Sequence, residues 1–144
     1  MKRSLAMQIS IFCLVLCCAV FSASAEENGT AASAAPAELN LADAVMCESI
    51  ENFKPVHPSA VFSVTGGSVM CFTGFDVVPK TMDVFHDWIK KDTPVYRKKL
   101  VLKPPRWSTV SSIKLRESDK GPWRVEVRDS DGKLLSTLRF SITE

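Results

Sequence analysis

The residue best placed by type to do chemistry is His86, which lies between Asp83 and Asp87. An imidazole titrates near neutral pH and could act here as a base or a ligand. Ser111 and Ser112 supply hydroxyls that could approach it as nucleophiles. No nucleophile motif surrounds them, however, and a catalytic histidine needs both an orienting partner and a nucleophile within hydrogen-bond reach. A hydrolase centred on His86 is therefore one reading. The simpler one is a histidine packed in a sheet and hydrogen-bonded to a neighbour, and no catalytic residue is assigned. His57, set among Pro55 and Pro58, reads as a solvated loop residue.

Three tryptophans, Trp88, Trp107 and Trp123, stand with His86 and Arg106 as candidate binding residues. Exposed together, the indoles could stack on sugar rings or anchor a protein partner. Tryptophan is mostly buried on average, so at least two of the three are expected in the core. Lys90, Lys91, Arg97, Lys98, Lys99, Lys103 and Arg106 form the one charge cluster, a possible match for anionic lipid, lipopolysaccharide or an acidic polymer. Strand alternation would split that cluster between two faces, and lysines commonly protect a sheet edge from pairing. Asp129, Asp131 and Gly132 faintly resemble a calcium loop whose remaining ligands are missing. Two cysteines and two distant histidines lack metal-ligand spacing, so neither a metal nor a cofactor is expected.

The context of these residues is set at the N-terminus. Lys2 and Arg3 precede an uncharged, mostly apolar run from Leu5 to Phe21, and Ala23-Ser24-Ala25 fits the small-residue cleavage rule. Residues 1–25 thus read as a signal peptide. The competing readings are a retained membrane anchor and lipidation at Cys17 or Cys18, where Leu16 and Cys17 are poor preceding residues. A membrane association is expected only if that segment is retained or lipidated. The whole chain has 18 Lys and Arg against 16 Asp and Glu; losing residues 1–25 removes Lys2 and Arg3 and no acid, leaving 16 of each. A neutral mature chain offers no electrostatic footprint for nucleic acid. Of five cysteines only Cys47 and Cys71 remain. In an oxidising compartment they suggest a disulfide, worth about 3 kcal/mol if unstrained.

Residues 26–42 are small, Ala-rich and interrupted by Gly29 and Pro36, and read as a flexible linker. Residues 43–144 read as one domain. Val45–Ile50 and Val69–Phe75 are strand-like, and Lys54–Pro58 and Thr65–Ser68 read as loop and turn. Met82–Lys90 fits either period and is read as a strand; Val95–Leu102 and Arg106–Leu115 alternate. Trp123, Val125 and Val127 alternate with Arg124, Glu126 and Arg128, and Asp131-Gly132 closes a hairpin onto Leu134–Ile142. About seven strands broken by Pro and Gly suggest an all-β antiparallel sandwich.

His86-Asp87-Trp88, Arg106-Trp107-Ser108-Thr109-Val110-Ser111-Ser112, Gly121-Pro122-Trp123-Arg124-Val125-Glu126-Val127, and Asp131-Gly132-Lys133-Leu134-Leu135 with Phe140 form an ordered set. The set resembles a bacterial envelope family catalogued as domain of unknown function 2914 (DUF2914), over roughly Val45 to Thr143. The resemblance implies an immunoglobulin-like sandwich in exported or membrane-anchored proteins, and implies no activity. Family members often carry an aromatic just after the His-x-Trp element; here Ile89 and Lys90 follow. The functional expectation is an exported, non-catalytic domain, periplasmic or extracellular, binding another envelope protein or a glycan. The glycan alternative uses exposed tryptophans.

Overall fold

The computed structural model describes residues 35–144. The signal peptide read at 1–25, with Cys13, Cys17 and Cys18, and the larger part of the linker read at 26–42 lie outside those residues.

Alternating apolar and polar side chains produce extended segments throughout. The described residues form β1 (Asn40–Glu51), β2 (Lys54–Pro58), β3 (Val61–Ser63), β4 (Ser68–Val77), β5 (Met82–Lys90), β6 (Thr93–Leu102), β7 (Trp107–Lys114), β8 (Gly121–Asp129) and β9 (Leu134–Thr143). They make two sheets, one ordered β2-β1-β4-β7 and the other β3-β9-β8-β5-β6. The fold is the all-β sandwich that the strand pattern implies. It has nine strands rather than about seven, and one pair, β3 with β9, runs parallel.

The additional strands come from segments where prolines and short length hide the pattern. Lys54–Pro58, read from sequence as a loop, is β2 and pairs with β1 from Glu51↔Lys54 to Cys47↔Pro58. As an edge strand it tolerates Pro55 and Pro58, because a missing N–H costs nothing on an unpaired side. β3 is three residues long, too short to show any period. Met82–Lys90 is a strand, and Pro94 lies in edge strand β6.

Hairpin chemistry explains two of the connections. Asn52 and Phe53 have φ of 48° and 60°, and Lys91 and Asp92 have φ of 45° and 66°. Two-residue loops with both φ positive match the right-handed twist of the strands they join. Glycine usually fills such positions, so Phe53 holds a conformation that bulky residues rarely adopt.

The two sheets enclose two apolar clusters. At one end Trp88, Trp123, Phe62 and Phe140 pack together. Phe140 meets Trp88 edge-on at 6.0 Å and Trp123 stacked at 6.2 Å. At the other end Phe75, Val78, Val84, Leu100, Leu102 and Val127 fill the gap. Fully burying such a side chain contributes about 1.5–3 kcal/mol each, and this apolar filling is what binds the two layers. β6 is only partly covered: Thr93 to Lys99 are exposed on both faces.

Candidate functional site

β5 brings His86 and Trp88 to the inner face of one sheet, while β4 and β7 bring Thr73 and Ser111 to the inner face of the other. The four side chains meet between the layers. His86 Nδ1 lies 2.8 Å from Ser111 Oγ and Nε2 lies 3.2 Å from Thr73 Oγ1. Trp88 Nε1 donates to the same Ser111 Oγ at 3.0 Å. His86 and Thr73 are fully buried and Ser111 nearly so. Burial pushes the imidazole down to about 4, and the charge of Asp87 only partly opposes this. His86 is therefore neutral at ordinary pH, one ring nitrogen donating and the other accepting.

Asp83 and Asp87 take no part in this cluster. Side chains alternate along a strand, so both carboxylates lie on the opposite face. There Asp87 takes Arg97 in a bidentate pair at 2.5 and 2.8 Å, and Asp83 takes Lys99 at 2.8 Å. A serine beside a histidine is present, but without a carboxylate on the ring and without access for a substrate. What it does chemically is satisfy four buried polar groups across the gap between the sheets.

The binding residues read from sequence separate in the same way. Trp88 is 0% and Trp123 5% exposed, and with His86 they are core, closed to any ligand. Trp123 Nε1 donates to the Asp119 carbonyl at 2.6 Å. Only Trp107, 38% exposed, and Arg106 reach the surface. The basic cluster also divides. Arg97 and Lys99 are paired with acids, Lys90 sits 5.6 Å over the Trp123 ring, and Lys103 sits 5.7 Å over the Trp107 ring. Arg97 belongs to a chain of charges across the outer face, where Arg128 and Arg124 share Glu126 and hold its carboxyl below the usual range.

The expected Cys47–Cys71 disulfide is not formed; both are free, buried thiols. The register gives the reason. Cys71 is opposite Met46 and Cys47 is opposite Met70, so the two cysteines sit diagonally and point to opposite faces of one sheet. A bridge needs its Cβ vectors to converge. Burial pushes the Cys71 thiol up to about 12, and the charge of Cys47 adds to it.

Trp107 and Arg106 instead line an open surface groove of about 460 Å³ with Phe53, Asp43, Gly74, Asp76 and Ser108. Its floor is a row across three strands, Asp43 of β1, Gly74 of β4 and Ser108 of β7. Beside Gly74 the Asp43 side chain and the Phe72 ring come within 3.5 Å of where a Cβ would stand. Asp76 is fixed by Asn40 Nδ2, which donates to its Oδ1 at 2.7 Å. Phe53 is 89% exposed. Sequence reasoning did not find Phe53, Asp43 or Asp76. The one signal was an aromatic following Asn52 where a turn was due.

Residues 81–142 match the family model described as "Protein of unknown function (DUF2914)". The match starts just before β5 and runs through the final strand, and includes His86, Arg106 and the three tryptophans. No curated protein matches the chain. A solved structure, a Niemann-Pick type C2 protein from Japanese carpenter ant, is similar at 10% identity with a TM-score of 0.41, covering 76% of this chain and 96% of that one.

Proposed function

We propose that the chain is an exported, non-catalytic β-sandwich module that binds another component of the cell envelope, and that it does so in the Trp107–Arg106 groove. The observation that carries this reading is the division of the candidate residues. His86, which meets Ser111, is sealed inside, whereas Trp107 and Arg106 line a groove that also has acidic and aromatic residues. Concave sites with an apolar lining and a few convergent polar groups are where ligands are held. The signal-like residues 1–25 support a place outside the cytoplasm, periplasmic or extracellular, and the neutral mature charge favours a partner other than nucleic acid. The hydrolase reading loses its support, because a base needs reach to a substrate proton.

The test uses protein labelled with 5-fluorotryptophan, whose three resonances are assigned by single Trp→Phe variants. Solubilised envelope material is expected to shift the Trp107 signal and leave Trp88 and Trp123 in place. No shift at Trp107 across envelope fractions overturns the proposal.

A further inference from the structure

We infer that the groove takes a neutral oligosaccharide. The inference rests on the groove being the binding site, and it follows from the mixture of groups lining that groove. Two acidic residues, Asp43 and Asp76, and one basic residue, Arg106, line the groove together with Trp107. An anionic ligand would meet the two aspartates. A cationic one would meet Arg106, with Lys103 close by over the Trp107 ring. A purely apolar ligand would strip water from all three charged groups without replacing their hydrogen bonds, which is unfavourable.

A sugar hydroxyl avoids each of these conflicts. It donates to a carboxylate and accepts from a guanidinium, so a chain of hydroxyls satisfies both signs at once. The C–H faces of a pyranose ring also match an exposed indole, which supplies a large apolar contact at low entropic cost.

Position supports the same ligand. Lys103 lies over one face of the Trp107 ring, and pairing with Phe75 fixes the backbone that carries it. Asp76 is likewise anchored by Asn40. The groove is open to solvent rather than enclosed, so a ligand longer than the groove itself can lie in it.

The experiment titrates the fluorotryptophan-labelled protein with cellotriose, chitotriose and maltotriose, and with trigalacturonate as the charged counterpart. At least one neutral trimer is expected to shift Trp107 saturably and to bind roughly tenfold more tightly than trigalacturonate. Asp76→Asn and Arg106→Met are each expected to weaken it by about three- to tenfold. Both substitutions lie on the surface and leave the Trp88 and Trp123 signals as fold controls. Tighter binding of trigalacturonate, or binding indifferent to both substitutions, overturns the inference. If no trimer binds while envelope material still moves Trp107, the saccharide assignment falls and the binding module stands. If neither moves it, both fall.

Discussion

Ser111 Oγ stands 2.8 Å from His86 Nδ1 across the space between the two sheets, and the same oxygen accepts the Trp88 indole N–H. One hydroxyl thus joins β7 to two residues of β5. Thr73 closes the other side of the ring from β4. A polar cluster in an otherwise apolar gap sets how the layers register, because any slip leaves a buried donor or acceptor unpaired.

The first consequence is acid sensitivity. Above about pH 6.5 His86 is neutral whether the chain is folded or not. As pH falls below that, the unfolded chain takes a proton that the folded one refuses until about pH 4. Stability is therefore lost between these values as pH falls, and the full loss is on the order of 3 kcal/mol. Urea midpoints measured from pH 7 to pH 4 should fall more steeply in the native chain than in His86→Gln, which cannot take that proton. Parallel curves would contradict it.

Ser111→Ala removes a partner from both His86 and Trp88. Leaving buried groups unsatisfied costs about 1–3 kcal/mol each, so the variant should be about 2–4 kcal/mol less stable. The Trp107 resonance should stay where it is. An unchanged urea midpoint would mean the hydroxyl bridges nothing of consequence.

The thiols offer a separate check. Cys47 and Cys71 are free and buried, with burial raising both pKa values, that of Cys71 to about 12. Folded protein at pH 8 should react slowly with a maleimide. In denaturant without reductant, both cysteines should be alkylated at once. A protein two hydrogens light that resists alkylation until reduced would show a bridge after all, and a rearranged β1–β4 register with it.

The tryptophans should differ sharply. Trp88→Ala empties a fully buried site beside Phe140 and should cost about 3–5 kcal/mol. Trp107→Ala acts at the surface and should change stability by no more than about 1 kcal/mol, while abolishing the groove's ligand response. Thermal melts of the two variants compare them directly. Similar losses would place Trp107 in the core.

Alternation along Trp123–Arg128 and the Asp131-Gly132 turn were enough to place β8 and β9, because a period of two and a glycine at positive φ are local properties. The sandwich followed from such local order. Reading Met82–Lys90 as a strand likewise places Asp87 on the face opposite His86, as observed. Three things depended on which strands become neighbours. The register of β1 against β4 turns Cys47 and Cys71 apart. The facing of β5 by β4 and β7 seals His86 with Ser111 and Thr73. The alignment of Asp43, Gly74 and Ser108 forms the groove beside Trp107. Each joins residues distant in the chain, and a sequence carries the period of every strand but not the partner against which it will lie.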